Sequence, residues 1–234
     1  MSSIDIRRAA DRFTTRLSWL ESHHSFSFGH HHDPTNVGHG LLLVFNDDRV
    51  APGGGFGQHG HRDMEIVTWV LEGALEHRDS TGTHGIIRPG EAQRMSAGSG
   101  ILHSEMNASQ SEPVHFLQMW VPPDQRDLEP GYEQRAVSVK PGAGLVAVAS
   151  GRGHDGAVII NQPHAVMWAA EMEAGEAVVL PDSQHVHAFV ARGRVALSGH
   201  ELAAGDAARL TAAGALPATA LEPTHLVVWE TAAD

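Results

Sequence analysis

The stretch His59-Gly60-His61, with its counterpart His103-Ser104-Glu105 further along the chain, decides the fold. Side chains two residues apart in a β-strand project from the same side, so each stretch offers two donor groups to one point in space. Imidazole and carboxylate groups are common ligands of transition metals. The two stretches therefore predict a metal site between neighbouring strands.

Composition limits the chemistry open to such a site. The chain has 234 residues, 18 histidines and no cysteine, which excludes thiolate ligands, disulfides and a cysteine nucleophile. Lys and Arg number 16 against 28 Asp and Glu, a formal charge of −12, and they form no basic patch for phosphates. We therefore expect nitrogen and oxygen ligands and no direct binding to nucleic acid.

The hydropathy of the chain argues against a membrane role. Residues 1–8 lack the apolar core of a signal peptide, and no apolar run approaches the roughly 20 residues that span a bilayer. These features predict a cytoplasmic protein that does not bind membranes.

Turn residues throughout the chain predict an all-β protein. Short apolar runs alternate with Gly, Pro, Asn and Asp, and only residues 8–22 could form a short amphipathic helix or an irregular arm. The predicted strands of the first half span residues 41–45, 65–71, 74–79, 84–87, 92–95 and 114–121. A turn is predicted between the first two, at Asn46-Asp47-Asp48. The spacing fits a small antiparallel barrel.

A polar stretch that begins at Pro122-Pro123-Asp124-Gln125 interrupts this pattern, and alternation resumes near Ala136. We predict a first domain over residues 1–122, a linker over residues 123–135 and a second β-domain over residues 136–234. Both halves carry a hairpin followed by a turn of glycine and an acid, Gly90-Glu91 and Gly205-Asp206, which favours a duplicated barrel.

The spacing of the donors resembles the two motifs of the cupin barrel. The first motif is matched, with a last gap one residue longer than usual, by Gly53, His59, His61, Glu65 and Gly73. The second is matched more loosely, with Ser96 where proline is usual, by Gly90, Gly98, His103 and Asn107. The resemblance implies a bicupin, two antiparallel β-barrels of the jelly-roll type in tandem.

Residues 6–122 resemble the pirin family more closely, in particular the bacterial pirin-like quercetinases, and the remaining residues resemble it more loosely. The segments that carry this resemblance include Phe26-Ser27-Phe28-Gly29, Asn46-Asp47-Asp48, His59-Gly60-His61-Arg62-Asp63-Met64-Glu65, Glu76-His77-Arg78-Asp79-Ser80 and Gly98-Ser99-Gly100-Ile101-Leu102-His103-Ser104-Glu105. Gly60 departs from the family, which usually has proline there, but every donor is present.

The resemblance also implies a ligand set. His59, His61, His103 and Glu105 would hold one divalent metal per chain, with iron as the first choice and nickel, cobalt, copper, manganese or zinc as alternatives. Glu65 competes with Glu105, because ordinary cupins place a ligand four residues after the second histidine. The family pattern favours Glu105, and Glu65 would then stand behind the ligands and orient one imidazole.

Two further groups of histidines need an interpretation. His23-His24 and His30-His31-His32 could line the mouth of the pocket, bind a second metal, or bind metal only adventitiously. His185-Val186-His187 repeats the spacing of the first pair, but no acid follows at the matching distance. The second barrel is therefore expected to be free of metal.

For function, the resemblance implies a quercetin 2,3-dioxygenase, an enzyme that cleaves the heterocycle of a flavonol with O2 and releases carbon monoxide. Glu105 would also be the catalytic base that takes the proton of the 3-hydroxyl. Candidates for the apolar wall of the pocket are Phe56, Met64, Phe116, Met119 and Trp120. The alternative, implied by eukaryotic pirins, is a non-enzymatic regulatory protein that binds a protein partner through its metal-loaded form.

Overall fold

A computed structural model describes residues 2–232, so the predicted domain ends at residues 1 and 234 lie outside the described residues. The first twelve strands are β1 (Ser3–Arg7), β2 (Phe13–Arg16), β3 (Leu20–His24), β4 (Val44–Val50), β5 (Gly55–His61), β6 (Glu65–Glu72), β7 (Leu75–Asp79), β8 (His84–Ile87), β9 (Glu91–Ser96), β10 (Ile101–Asn107), β11 (Val114–Val121) and β12 (Gly131–Ala136). The other ten are β13 (Val146–Ser150), β14 (Val158–Ile159), β15 (Ala165–Met172), β16 (Ala177–Val179), β17 (His185–Arg192), β18 (Arg194–Leu197), β19 (His200–Ala203), β20 (Ala207–Thr211), β21 (Pro217–Ala220) and β22 (Thr224–Thr231).

The helical content between residues 2 and 232 is a single 3-10 turn, Ala9–Asp11. No helix in that range is long and apolar enough to cross a membrane.

Strands β2 to β12 form an N-terminal unit of two sheets. The seven-stranded sheet runs in the order β12-β9-β6-β11-β4-β3-β2, and the four-stranded sheet runs β5-β10-β7-β8. Every pair in both sheets is antiparallel. Leu75 and Ile87 of the smaller sheet join Val70 and Phe116 of the larger one in a shared core. The two sheets therefore enclose a barrel interior.

The C-terminal unit repeats this plan. Its seven-stranded sheet runs β1-β20-β17-β22-β15-β13-β14, and its four-stranded sheet runs β16-β21-β18-β19. The pairs are antiparallel except for β13 with β14. Leu197 and Leu202 of the small sheet pack in one cluster with Val186 and Val228 of the large sheet. The prediction of an all-β chain with two similar barrels is confirmed.

The two large sheets pack against each other through their outer faces. Trp69 and Met119 of the N-terminal unit share one buried cluster with Met167, Phe189 and Trp229 of the C-terminal unit. Strands β6, β11 and β22 are consequently buried on both faces, which explains their nearly continuous apolar sequences.

Two edge strands differ from the predicted domain boundaries. Strand β1 precedes the N-terminal unit but pairs with β20 of the C-terminal sheet, and β12 lies in the predicted linker but pairs with β9 of the N-terminal sheet. The assignment of residues 123–135 to a linker is therefore wrong for the segment from Gly131 onward. Each added strand covers backbone donors and acceptors at a sheet edge that would otherwise be unpaired.

Two local predictions also differ from the structure. Residues 8–22 form neither a short amphipathic helix nor an irregular arm, because only Ala9–Asp11 make a 3-10 turn and β2 with the start of β3 makes a hairpin. The predicted turn at Asn46-Asp47-Asp48 lies within β4, paired on both sides by β3 and β11. Its polar residues fit a strand because Asn46 and Asp48 are buried beside polar partners on β3.

Candidate metal centre

The two predicted donor pairs meet on adjacent strands of the smaller sheet. Strand β5 pairs with β10 so that His59 stands opposite His103 and His61 stands opposite Ile101. One ring nitrogen from each of His59, His61 and His103 lies within 4.8 Å of the others. Three imidazoles from two strands thus converge on one point, as the sequence predicted for these residues.

The hydrogen bonds of His59 indicate which of its nitrogens faces that point. Its Nδ1 lies 2.8 Å from the carbonyl oxygen of Gly57, which can only accept, so Nδ1 carries the proton. Its Nε2 lies 3.0 Å from Nε2 of His103 and offers a lone pair in that direction. Two ring nitrogens this close, with a third imidazole beside them, suit a shared cation.

Glu105 approaches the cluster from the barrel interior. A β-bulge between His103 and Glu105 shifts the register, and the carboxylate forms a second group of possible ligands with His103 and His77, again with all donor atoms within 4.8 Å. His103 belongs to both groups. Gln118 Nε2 donates to Glu105 Oε2 at 2.6 Å, whereas Oε1 is buried with no hydrogen-bond partner among residues 2–232.

Burial also decides the charge of Glu105 when no cation is bound. Loss of hydration raises the pKa of this carboxyl to about 7, although the hydrogen bond from Gln118 and the nearby Thr68 hydroxyl act in the opposite direction. A divalent ion would favour the ionised form. The free Oε1 and the three nearby imidazoles fit a nitrogen and oxygen donor set for such an ion.

Glu65 is placed differently from the prediction. Its Oε2 accepts from Ser96 Oγ at 2.8 Å and from the backbone N–H of Asn161 at 3.0 Å, and its Oε1 accepts from Asn161 Nδ2 at 3.2 Å. None of these partners is a ligand imidazole. The prediction that Glu65 orients a ligand imidazole is therefore wrong. Glu65 instead joins the N-terminal unit to the C-terminal unit.

The reason lies in the connection between β5 and β6. An even spacing such as that of His61 and Glu65 keeps two side chains on one face only where both residues lie on one regular strand. The chain instead leaves the small sheet after His61, passes Asp63 with a φ of 49°, and enters the large sheet at Glu65. The two residues belong to different sheets, so their spacing carries no information about a shared face.

A cavity of about 340 Å³ opens beside the histidines, within the usual size range of small-molecule sites. His59, His61 and Glu105 all line it. Aromatic walls come from Phe28, Phe56 and Trp120, and polar walls come from Ser22, His24, His30, Asn46 and Asp48. Two of the five predicted wall residues, Phe56 and Trp120, are therefore present, whereas Phe116 and Met119 belong to the core and Met64 packs beside Ile66.

The polar wall is a connected network. His24 lies between two partners, Asn46 Oδ1 at 2.8 Å from its Nδ1 and Thr15 Oγ1 at 2.9 Å from its Nε2. Ser22 donates to Asp48 Oδ1. Burial, with the nearby charges of Asp47 and Glu105, raises the pKa of Asp48 to about 7. Among the interpretations of the histidine cluster, lining of the pocket is the one that fits His24 and His30.

Sequence reasoning missed Asn46 and Asp48 of this wall and also His77. A sequence signal was present in both cases. Asn46 with Asp48 and His77 with Asp79 have the same two-residue spacing as the candidate donor pairs. Strand periodicity places each pair on one face.

The histidines of the second unit lie elsewhere. His187 is buried between the units, with its ring 4.8 Å from that of Phe45, and His185 packs edge-on against His39. They contribute to neither group of candidate ligands found between residues 2 and 232. That the second barrel carries no metal stays a prediction.

Comparison with known proteins gives matches over both units. The sequence profile of the Pirin family matches residues 6–121, and that described as the quercetinase C-terminal cupin domain matches residues 147–230. A protein of Mycobacterium tuberculosis, named provisionally as a quercetin 2,3-dioxygenase, is 54% identical over 98% of this chain and 95% of its own length. The quercetin 2,3-dioxygenase of Escherichia coli K12 is 42% identical over 82% of this chain and 79% of its own length.

A solved structure matches over the whole fold. The nickel(II) complex of the bacterial pirin YhhW from Escherichia coli superposes with a TM-score of 0.92 at 34% identity, and the match covers 99% of this chain and 100% of that one. The predicted arrangement of two cupin barrels is confirmed by these matches.

Proposed function

The chain belongs to the pirin family, and on that basis we propose that it is a metal-dependent dioxygenase that opens the heterocycle of a flavonol, as a quercetin 2,3-dioxygenase does. The observation that carries the proposal is the convergence of His59, His61 and His103 at the wall of a cavity that also holds an unpartnered carboxylate oxygen of Glu105. The names of the relatives support the same activity.

We propose His59, His61, His103 and Glu105 as the ligands of one divalent metal, with iron as the native ion. Nickel is the main competitor, because the similar pirin of Escherichia coli is known in a nickel complex. When bound, such an ion would act as a Lewis acid on an enolic hydroxyl and support chemistry with O2.

Glu105 is proposed as the base for the 3-hydroxyl of the flavonol. Its Oε2 is held by Gln118, so the side chain stays oriented while Oε1 would loosen its hold on the metal and accept the proton. A carboxylate that loosens its hold on a metal can accept a proton and so act as a general base.

The cavity supports a flat, hydroxylated aromatic substrate. Phe28, Phe56 and Trp120 provide apolar faces, and Trp120 packs edge-on against the ring of His61 at 4.8 Å between centroids. Asp48, buried on the opposite polar wall, can accept a hydrogen bond from a phenolic hydroxyl far from the 3-hydroxyl. The substrate and O2 are the partners that the proposal requires.

The decisive test is oxygen uptake with quercetin by protein prepared without a His-tag and reloaded with one metal at a time. We expect quercetin-dependent uptake and carbon monoxide release with at least one metal, and loss of both in His59→Ala. His200→Ala, which changes an exposed histidine of the second unit, is the matched control and should retain full activity. Absence of uptake with every metal would reject the dioxygenase.

A further inference from the structure

A buried histidine and aspartate lie directly behind His103. Strand β7 pairs with β10 so that Asp79 stands opposite His103 and His77 stands opposite Glu105. The side chains of His77 and Asp79 are both 0% exposed. Neither residue belongs to the proposed ligand set, yet both are placed where they could act on a ligand.

The hydrogen bonds of this pair fix the position of a proton. Asp79 Oδ2 lies 3.0 Å from His77 Nε2, and because a carboxylate accepts, Nε2 carries the proton. A neutral imidazole has one N–H, so His77 Nδ1 has a lone pair. That lone pair faces Nδ1 of His103 at 3.5 Å, the long limit of a hydrogen bond. With a cation at the metal position, His103 would carry its proton on Nδ1, where His77 accepts it, and would present an unprotonated Nε2 beside that of His59.

We propose that Asp79 and His77 form a relay that holds His103 in the tautomer and orientation needed for metal binding. In this relay, Asp79 fixes which ring nitrogen of His77 carries the proton, and His77 in turn fixes the protonated nitrogen of His103. His59 reaches the same state through the backbone carbonyl of Gly57, which no substitution can remove. The relay is thus the side-chain device that selects a metal-facing nitrogen. The proposal rests on the proposed metal site but does not depend on the substrate or the reaction.

Tyr132 closes the relay from outside. Its ring lies 4.8 Å from that of His77 at an interplanar angle of 31°, and its hydroxyl donates to Gln134 Oε1 at 2.8 Å. Tyr132 belongs to β12, the strand that comes from the predicted linker. The ring of His77 is thereby shielded from solvent, and its hydrogen-bond partners among the described residues are Asp79 and His103.

Asp79→Asn is the sharpest test because it changes one atom of the relay. Asp79 Oδ1 accepts from the backbone N–H groups of Thr81 and Thr83 and from the Thr81 hydroxyl, so the amide oxygen will take that position. The amide NH2 then faces His77 Nε2 and forces the His77 proton to Nδ1. His103 must in turn carry its proton on Nε2, where it competes with the metal.

The measurement is the dissociation constant for Ni²⁺, by competition with a chromophoric chelator at pH 8, where free imidazole is neutral. We expect Asp79→Asn to bind Ni²⁺ about 10 to 100-fold more weakly than the wild type, the usual effect of losing the partner of a ligating histidine. Wild-type protein that binds no Ni²⁺ would reject the metal site itself, which keeps that failure distinct from failure of the relay.

Glu76→Gln is the matched control. It makes the same carboxylate-to-amide change on the same strand, in a residue whose Oε1 lies 2.7 Å from Nε2 of the half-exposed His84. Its Ni²⁺ affinity should equal that of the wild type within twofold.

A second pair of variants tests the hydrogen bonds themselves. His77→Gln keeps a donor for Asp79 and an acceptor for His103, whereas His77→Leu keeps neither.

We expect His77→Gln to recover most of the affinity that His77→Leu loses. Equal Ni²⁺ affinity in Asp79→Asn and the wild type would overturn the relay. So would a loss in Asp79→Asn that appears equally in Glu76→Gln, or one that is accompanied by a matching fall in the melting temperature of the metal-free protein. If His77→Leu does not fold, the Asp79→Asn and Glu76→Gln pair still decides.

Discussion

Gln118 Nε2 lies 2.6 Å from Glu105 Oε2 and occupies one oxygen of a buried carboxylate whose other oxygen has no partner within residues 2–232. The two oxygens thus have different tasks. One is fixed by the fold, and the other is available to a cation or a substrate proton. Loss of proton affinity at Glu105 should therefore be separable from loss of the metal.

Glu105→Gln should keep much of the metal and lose most of the activity. Three imidazoles remain, and an amide oxygen can still coordinate weakly, but an amide cannot accept the proton of the 3-hydroxyl. We expect turnover to fall on the order of a hundredfold or more. Metal content and quercetin-dependent oxygen uptake, compared with the wild type at matched metal loading, measure the two effects. Undiminished turnover would remove Glu105 from the role of base.

Glu65→Gln should weaken the contact between the two units and leave the metal in place. The carboxylate accepts three hydrogen bonds from Ser96 and Asn161, and an amide has only one accepting oxygen. An unmet buried donor costs about 1–3 kcal/mol, and a protein of this size loses about 2–4 °C of melting temperature for each kcal/mol.

Differential scanning fluorimetry and elemental analysis on the same Glu65→Gln sample test this. Asn161→Ala, which removes one donor of the same contact, should behave alike. Loss of metal without loss of thermal stability would restore Glu65 to the metal site.

The proximity of the two candidate donor pairs could be predicted from the sequence because it needs only the two-residue period of a strand and one strand pairing. His59 and His61 lie on β5, His103 and Glu105 on β10, and the two strands are neighbours. Local alternation also predicted most other strands. These inferences depend on residues close in the chain, where geometry is nearly fixed by strand conformation.

Long-range features could not be predicted in this way. The pairing of β1 and of β12 depends on which sheet edge each strand covers, and either edge suits a short polar strand. Asn46 and Asp48 look like turn residues because burial of an acid is unusual without a partner, and the partners Ser22 and His24 come from another strand.

Asp47→Asn should destabilise the protein at neutral pH and less so in acid. Burial opposes ionisation of Asp47, but the hydrogen bond from His115 and the charge of Arg12 outweigh it and lower the pKa to about 2. A depressed pKa contributes stability that is present above the unfolded value near 4 and is lost as the pH falls through about 2. The shift corresponds to about 2 kcal/mol.

The melting temperatures of wild type and Asp47→Asn, taken at pH 7 and pH 3, measure this contribution. The difference should be several degrees at pH 7 and smaller at pH 3. Asp155→Asn, at an exposed position, should show no difference at either pH. An Asp47 effect that grows toward low pH would contradict the sign of the pKa shift.

Removal of the metal should lower thermal stability. Without a cation, three imidazoles and a buried carboxylate share one small space, and binding free energy adds directly to the stability of the folded state. We expect chelator to lower the melting temperature of the wild type and of His200→Ala, and to have no effect on His59→Ala, which should already have lost most of its metal. An identical response in His59→Ala would show that the stabilising ion binds elsewhere.

The polar wall should decide which flavonols are good substrates. Asp48 is 2% exposed, and its Oδ1 accepts from Ser22, so its second oxygen is the group that can receive a phenolic hydroxyl from the cavity. Asp48→Asn keeps the shape and an acceptor for Ser22 but removes the second acceptor. At pH 8, above the raised pKa of Asp48, the carboxylate is charged, and a hydrogen bond to a charged group contributes about 1.5–3 kcal/mol, which corresponds to at least tenfold in kcat/KM. The kcat/KM of the variant for quercetin should therefore fall at least tenfold. Its kcat/KM for 3-hydroxyflavone, which has no other hydroxyl, should equal that of the wild type.

Equal losses for both substrates would mean that Asp48 acts on the fold or on the metal site. Unchanged rates for both would mean that no hydroxyl reaches this wall.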